Sequence, residues 1–365
     1  MSTILRDQQP QQDQDQISDT HVVAFQSLVS PQDLHLRLPV SANASAVVRR
    51  GREQVAAVLS GRDDRLLVIT GPCSIHDPQA ALDYARRLRV LADAYADDLV
   101  VVMRTYFEKP RTTLGWKGLI NDPHLDGSHD IEAGLRIARE FLIEVAELGV
   151  PAATELLEPI TPQYIAELIS WAAIGARTSE SQIHRQLASG LSMPVGFKNG
   201  TDGDVQVAVD GARAARNPQS FLGIDGDGRA ALATTTGNPD SHIVLRGGRQ
   251  GPNYAPHQVV HALDLVGRSS LDRHLIIDAS HANSGKDHQR QAEVVTEIAG
   301  QVAAGSRGIG GVMMESFLVA GAQPLEVPVR HQLAYGQSVT DACLSLETTA
   351  DLLAELAAAS RQRRR

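Results

Sequence analysis

The chain has 365 residues, a formal net charge of −9 at pH 7 and two cysteines, Cys73 and Cys343. This length accommodates an α/β barrel of about 250 residues with additional segments. The acidic balance excludes a global basic surface for nucleic acid, and two cysteines are too few for a disulfide framework. No apolar run is long enough to cross a membrane, and the first residues lack the apolar core of a signal peptide. We therefore expect a cytoplasmic protein that binds neither nucleic acid nor membrane.

The chain begins with a polar, low-complexity stretch, which predicts a disordered tail over residues 1–20. Ser30-Pro31 is typical of a helix start, and Ala44 to Leu59 carry apolar residues at helical spacing. Residues 21–64 are thus predicted to form an N-terminal extension. At the other end, the arginine-rich residues 360–365 predict a solvated basic tail.

Between residues 65 and 359, short apolar runs alternate with amphipathic stretches, as in repeated βα units. The eight predicted strands are Leu66 to Thr70, Leu99 to Arg104, Ala152 to Glu155, Ala173 to Arg177, Val195 to Lys198, His242 to Arg246, Leu275 to Ala279 and Gly308 to Met314. The helices predicted between them include Pro162 to Trp171. Eight strands favour an α/β fold of the (β/α)8 TIM barrel type. An open doubly wound sheet is the alternative, but no Gly-x-Gly-x-x-Gly turn follows any strand.

Two segments interrupt this alternation. Residues 105–129 form a long loop after the second strand, and long loops at barrel strand ends are usually functional. Residues 218–237 contain two strand-like runs separated by Asp225-Gly226-Asp227-Gly228, which predicts an inserted β-hairpin. We expect the hairpin to cover a face of the barrel or to make a subunit contact.

A polar residue closes or follows each predicted strand. The active site of a (β/α)8 enzyme forms at the carboxyl ends of the strands, so these residues are expected to converge. A single strand-end cysteine such as Cys73 is most often a small buried hydrophobe, and a single charge can be a solvated rim. The complete series is Cys73, Arg104, Glu155, Arg177, Lys198, Arg246, His281 and Glu315, joined by Lys109 and Arg111 in the long loop.

The series divides into two chemical sets. The first contains the cations Arg104, Lys109, Arg111, Arg177, Lys198 and Arg246. Cations gathered at one mouth repel one another unless anions bind there, and guanidinium groups pair well with phosphate oxygens. This set predicts a phosphorylated or polyanionic small molecule. No Walker loop is present, so a nucleotide is not expected.

The second set contains thiol, imidazole and carboxylate groups, namely Cys73, His281, Glu315 and, as the best later acid, Asp341. Such donors suit a borderline divalent transition metal, Mn, Fe, Co or Zn, better than Mg or Ca. Two alternatives stay open at this point. One is a catalytic pair of Cys73 and His281, and the other is a core cysteine with an unrelated histidine.

Seven motifs, in order along the chain, carry a family resemblance: Gly71-Pro72-Cys73-Ser74-Ile75-His76-Asp77, Met103-Arg104-Thr105-Tyr106-Phe107-Glu108-Lys109-Pro110-Arg111-Thr112, Gly175-Ala176-Arg177-Thr178, Gly196-Phe197-Lys198-Asn199-Gly200-Thr201-Asp202-Gly203, Leu245-Arg246-Gly247-Gly248, Ser280-His281-Ala282-Asn283 and Met314-Glu315-Ser316. Over roughly residues 22–357 the chain resembles type I 3-deoxy-D-arabino-heptulosonate-7-phosphate (DAHP) synthases. That family condenses phosphoenolpyruvate with erythrose 4-phosphate on a metal-dependent barrel, the first step of the shikimate pathway of aromatic amino acid biosynthesis.

The resemblance implies a role for each site residue. Metal ligands would be Cys73, His281, Glu315 and Asp341. Phosphoenolpyruvate would bind to Arg104, Lys109, Arg177, Lys198 and Arg246, with Glu155 acting through water, and the phosphate of erythrose 4-phosphate would bind to Arg111 and Thr112. We predict that Lys109 protonates the emerging alkoxide. The competing interpretations are a binding protein on an inactive barrel, which would lose the metal ligands, and another metal-dependent aldolase.

The resemblance also implies regulation and assembly. An aromatic amino acid, tyrosine in preference to phenylalanine or tryptophan, would bind a pocket formed by Gln163, Leu187, Leu191, Ser192, Phe221 and Gly223. Glycine at position 223 resembles the residue found in the tyrosine-sensitive branch of the family. The phenylalanine-sensitive branch has serine at this position. Leu187 and Leu191 lie one helical turn apart, so ordinary core packing is the alternative for them. A homo-oligomer, dimer or tetramer, is implied.

Overall fold

The computed structural model describes residues 17–111, 113–272, 274–330 and 332–365. Most of the predicted N-terminal tail and the predicted phosphate ligand Thr112 lie outside these residues. The strands, in chain order, are β1 (Leu66–Gly71), β2 (Leu99–Arg104), β3 (Ala152–Glu155), β4 (Ile169–Ile174), β5 (Val195–Lys198), β6 (Ser220–Ile224), β7 (Ala230–Thr234), β8 (Ser241–Leu245), β9 (Leu275–Asp278), β10 (Ile309–Phe317), β11 (Val319–Ala322), β12 (Gln337–Ser338) and β13 (Leu344–Ser345).

Eight parallel strands close into a barrel. They follow the order β1-β2-β3-β4-β5-β8-β9-β10, and β10 pairs in parallel with β1 through the register Val68↔Val312. Every residue of these strands is buried, because helices cover the outside and side chains fill the interior. The closed (β/α)8 barrel confirms the predicted fold class.

The helices are α1 (Pro31–Arg37), α2 (Ala42–Leu59), α3 (Pro78–Ala94), α4 (Ile131–Glu147), α5 (Pro162–Ile165), α6 (Gln182–Gly190), α7 (Gln206–Ala215), α8 (Pro256–Arg268), α9 (His288–Ala303) and α10 (Leu346–Arg363). Side-chain caps explain several starts. Ser30, Ser41 and Asp77 each accept a hydrogen bond from a backbone N–H in the first turn. None of the helices in the described part of the chain is long and apolar enough to span a bilayer.

The fourth barrel strand differs from the prediction. Pro162 to Trp171 was predicted as one helix, but α5 ends at Ile165, a single 3-10 turn follows, and β4 already begins at Ile169. Trp171 belongs to β4, and its indole Nε1–H donates to His242 Nε2 at 3.1 Å. The predicted strand Ala173 to Arg177 was therefore placed too late. The prediction failed because a strand that is buried on both faces shows no alternation of apolar and polar residues, so its apolar residues were assigned to a helix.

The N-terminal extension closes the amino end of the barrel. Val55, Val58 and Leu59 of α2 pack with interior side chains of the strands, including Leu67 and Val100 near the strand starts. The carboxyl ends of the strands stay uncovered by this helix. The mouth at these carboxyl ends, where the predicted site residues lie, is therefore left open by α2.

The arginine-rich C-terminus is not a solvated tail. The helix α10 continues to Arg363, and Ser360 is fully buried with its hydroxyl donating to Asp98 O at 2.9 Å. Arg361 and Arg364 form ion pairs with the Asp98 carboxylate. The prediction for residues 360–365 was wrong because the sequence did not reveal this buried acid, which lies more than 260 residues earlier in the chain.

Candidate active site

A cavity of about 280 Å³ opens at the carboxyl ends of the barrel strands. It is lined by eight residues that were predicted from strand ends and motifs: Lys109, Arg111, Glu155, Arg177, Lys198, Arg246, His281 and Asp341. They come from seven different strand ends or loops, which meet only because the barrel closes. Seven of the ten residues of the predicted strand-end series thus lie around one cavity, as expected for parallel strands.

The cavity carries an excess of positive charge. Six cations, Lys109, Arg111, Arg177, Lys198, Arg246 and Lys286, line it with two acids, Glu155 and Asp341. The Nε of Arg246 is buried and has no hydrogen-bond partner in the described structure. A buried N–H donor without an acceptor is costly, so this geometry favours an anion at the guanidinium.

A buried carboxylate, Asp278 at the end of β9, organises two of these side chains. Its Oδ2 accepts from Lys198 Nζ at 3.0 Å and lies 2.9 Å from His281 Nδ1, and its Oδ1 accepts from the Ser280 hydroxyl. Burial alone would raise the pKa of Asp278, but Lys198 and His281 hold it well below the ordinary value. Asp278 therefore stays ionised and fixes both neighbours.

Three of the four predicted metal ligands converge. The ligand atoms of Cys73, Glu315 and Asp341 lie within 4.8 Å of one another. His281 borders the same cavity, but its Nδ1 contacts Asp278 and Ser280, and it is not part of that cluster. Thiol and carboxylate donors beside an imidazole fit a borderline divalent transition metal, so the residues present are chemically suited to such an ion.

Lys109 lies beside this cluster. Its Nζ donates to Cys73 Sγ at 3.1 Å and to Cys73 O at 3.2 Å. Burial alone would lower the pKa of Lys109, but Cys73 and the carboxylates of Glu315 and Glu155 raise it above its ordinary value. Lys109 therefore carries its proton next to the predicted metal ligands.

Arg104 lies beneath the cavity and does not line it. The side chain is fully buried, and its Nη2 donates to Glu315 Oε1 at 3.1 Å. The guanidinium also stacks on the Tyr106 ring at 3.8 Å from the centroid and donates to Met313 Sδ at 3.0 Å. Arg104 is thereby a fixed positive charge against the predicted ligand Glu315.

Sequence reasoning missed Asp278, Tyr106 and Lys286. Asp278 is the next-to-last residue of the predicted strand Leu275 to Ala279 and the last residue of β9, and the polar residue chosen for that strand was His281, three positions later. Tyr106 lies inside a quoted motif, but nothing in the sequence placed its ring under Arg104. Lys286 lies in the loop after His281, where its distance from the strand end concealed it.

A second cavity, of about 450 Å³, lies beside the hairpin β6–β7. All six residues predicted to bind an effector line it: Gln163, Leu187, Leu191, Ser192, Phe221 and Gly223. Neighbouring apolar side chains include Ile160, Ile183 and Leu222. Its mixed apolar and polar walls suit a small molecule with an apolar body.

The sequence model of the DAHP synthetase I family matches residues 37–354. The chain belongs to that family. The activity of the family, DAHP synthesis by carbon–carbon bond formation at the first step of the shikimate pathway, is the activity of this chain.

Individual relatives agree with membership in the DAHP synthetase I family. The chain is 55% identical over 353 residues to a Corynebacterium glutamicum protein named phospho-2-dehydro-3-deoxyheptonate aldolase, covering 95% of each chain. It is 51% identical over 342 residues to the Tyr-sensitive enzyme of Escherichia coli strain K12, covering 94% of this chain and 96% of that one. Relatives named Phe-sensitive and Trp-sensitive match to a similar degree, so identity does not distinguish the three forms.

A solved structure supports the fold independently. The phospho-2-dehydro-3-deoxyheptonate aldolase of Francisella tularensis SCHU S4 superimposes with a TM-score of 0.92 at 46% sequence identity. The superposition covers 94% of this chain and 100% of that chain.

Proposed function

We propose that the cavity at the barrel mouth binds phosphoenolpyruvate and erythrose 4-phosphate and condenses them with water to DAHP and inorganic phosphate. The observation that carries this assignment is the set of six cations around one cavity, with the buried Arg246 Nε lacking an acceptor in the described structure. Two substrates that each bear a phosphate repel one another, and such a set offsets that repulsion and fixes their orientation.

The cations divide between the substrates in this proposal. Lys109, Arg177, Lys198 and Arg246 bind the phosphate and carboxylate of phosphoenolpyruvate, with Glu155 holding water. Arg111 binds the phosphate of erythrose 4-phosphate together with Thr112. Lys198 is supported for this role because Asp278 fixes its ammonium group at the cavity wall. Arg104 supports the site from below through Glu315.

The chemistry requires one carbon–carbon bond and the departure of phosphate. C3 of phosphoenolpyruvate attacks C1 of erythrose 4-phosphate, and water adds at C2. The adduct collapses with cleavage of the carbon–oxygen bond, which releases phosphate. Lys109 Nζ holds the proton that the emerging alkoxide receives, consistent with its raised pKa.

A divalent transition metal completes the proposed site. The metal would be bound by the clustered side chains of Cys73, Glu315 and Asp341. His281, which lines the same cavity, would be the fourth ligand. When bound, it supplies Lewis-acid polarisation of the aldehyde. The donor set suits Mn, Fe, Co or Zn.

Phosphate release from the two substrates tests the proposal. We expect release to require both substrates, to stop after treatment with a chelator and to return on addition of Mn²⁺. Formation of DAHP without any effect of chelation would overturn the metal assignment. Absence of phosphate release would overturn the substrate assignment.

We also propose that the second cavity binds an aromatic amino acid that inhibits the enzyme, with tyrosine favoured because residue 223 is glycine. Titration of the activity separately with Tyr, Phe and Trp tests this. We expect inhibition by Tyr at the lowest concentration and loss of that preference in Gly223→Ser. Insensitivity to all three amino acids would remove the proposal.

We propose a cytoplasmic homo-oligomer, dimer or tetramer, as the working form. Both cysteines are free thiols, as a reducing compartment favours. Apolar side chains are exposed on the N-terminal segment and the hairpin, with Val23 at 84% and Leu222 at 92% exposure. Light scattering tests the oligomer, and a monomer at assay concentration would contradict it.

A further inference from the structure

The long loop after β2 carries a buried acid that does not line the catalytic cavity. Glu108 lies between Phe107 and Lys109 and is 2% exposed. Its carboxylate accepts hydrogen bonds from three groups of the loop after β3: Leu157 N at 3.3 Å, Glu158 N at 3.3 Å and the Thr161 hydroxyl at 3.1 Å. Glu108 therefore joins two of the loops that surround the barrel mouth.

This carboxylate is buried without a salt-bridge partner among the described residues. Burial raises the pKa of Glu108 to about 7, although its three hydrogen bonds oppose the shift. An apolar residue would fill this position at lower cost, because desolvation of a carboxylate is expensive. The acid therefore points to a requirement at this position beyond packing.

The loop that Glu108 anchors holds two cavity residues. Phe107 packs edge-on against Phe141, and Lys109 N–H donates to Lys117 O at 2.8 Å, so the chain direction is fixed on both sides of Glu108. Next to it, Lys109 Nζ reaches Cys73 Sγ. Two residues further, Arg111 Nε donates to Trp116 O at 2.7 Å, and Arg111 lines the cavity.

We propose that Glu108 is a positioning residue for the reaction, which holds the loop so that Lys109 reaches Cys73 and Arg111 faces the cavity. The inference rests on the proposed roles of those two residues. The cavity residues Arg177, Lys198 and Arg246 belong to other strand ends, so they do not depend on this anchor. Of the cavity residues proposed for phosphoenolpyruvate, loss of the anchor displaces Lys109 alone. It is therefore expected to affect erythrose 4-phosphate and turnover more than phosphoenolpyruvate.

The test compares Glu108→Gln with Glu158→Gln, which removes a charge from the exposed neighbouring side chain. Glutamine keeps the shape but presents one acceptor oxygen, so it cannot satisfy all three donors. We expect Glu108→Gln to lower kcat about 10- to 100-fold and to raise the KM for erythrose 4-phosphate about fivefold, since a small misplacement is amplified in the rate. The KM for phosphoenolpyruvate rises by less than the KM for erythrose 4-phosphate, the metal content stays as in the unaltered enzyme, and Glu158→Gln behaves like that enzyme.

A second variant, on the loop after β3, keeps the proposal testable if Glu108→Gln does not fold. Thr161→Val removes one donor and leaves Glu108 in place, and we expect the same split between the two KM values, with a smaller fall in kcat. Unaltered kinetics of a folded Glu108→Gln enzyme, or an equal rise of both KM values, would overturn the positioning role. Assay of the unaltered enzyme in parallel separates this result from failure of the proposed function, which would leave that enzyme inactive as well.

Discussion

Lys109 combines three properties at the scale of a single residue. Its side chain is half-buried, its ammonium group lies 3.1 Å from Cys73 Sγ, and the group remains protonated because the acids around it outweigh the effect of burial. A charge in this position has two consequences: it offsets the negative groups of the predicted metal ligands, and it offers a proton inside a cavity lined by six cations. Removal of the charge is expected to affect the chemistry more than substrate binding.

We predict that Lys109→Met lowers kcat about 10²- to 10⁴-fold, the range typical of a lost general acid. Metal content, measured by atomic emission, is expected to change little because the ligands remain. The matched control is Lys117→Met, an exposed lysine in the same loop, which should retain normal turnover. Near-normal turnover of Lys109→Met would refute the assignment.

At the scale of an element, the C-terminal turn of α10 binds to the barrel through ion pairs. Asp98 precedes β2 and is 4% exposed, and its carboxylate receives Arg361 and Arg364. Its backbone oxygen also accepts from Leu66 N at 3.1 Å, at the start of β1. One short segment thus ties the C-terminal helix to two strands that begin the barrel.

We predict that Asp98→Asn lowers the free energy of unfolding by about 1–2 kcal/mol, since each hydrogen bond loses its charged acceptor while the arginines remain partly solvated. Chemical denaturation measures the change. Asp97→Asn, at the exposed neighbouring position, is the control and should stay within about 0.5 kcal/mol of the unaltered chain. Equal stability of the two variants would show that the ion pairs contribute nothing.

At the scale of the whole molecule, the barrel interior encloses a neutral histidine. His242 is 4% exposed, its Nδ1 lies 3.0 Å from Asp240 O, and its Nε2 accepts from Trp171. Protonation would place a second donor against the indole N–H. Burial lowers the pKa of His242 to about 4, below the ordinary value of 6.5.

The pH dependence of stability follows from this shift. His242 binds a proton more readily in the unfolded chain than in the native barrel. The contribution of neutral His242 to the free energy of unfolding is therefore fully present above pH 6.5 and is lost as the pH falls toward about 4. We predict a loss of about 1.4 kcal/mol per pH unit from this group within that window. Denaturation at several pH values should show a shallower dependence in His242→Asn than in the control His257→Asn, an exposed position. Identical slopes would contradict the prediction.

Much of this protein was predictable from local patterns. Apolar runs of strand length, each followed by a polar residue, determined the barrel, since parallel strands in a βα repeat must direct their carboxyl ends to one mouth. The same reasoning predicted Arg177, Lys198 and Arg246 at the cavity. The start of β4 was misplaced because burial on both faces removes the alternation that distinguishes a strand from a helix.

Only the tertiary structure decided which groups pair. Asp278 fixes Lys198 and His281, Arg104 lies below the cavity against Glu315, and Asp98 receives the C-terminal arginines. Sequence by itself determined the fold class and the residue types around the mouth, because strand periodicity and strand-end chemistry are local. Ion pairs, buried hydrogen bonds and the separation of His281 from the other three predicted ligands depend on distances between segments far apart in the chain, and only the closed barrel sets those distances.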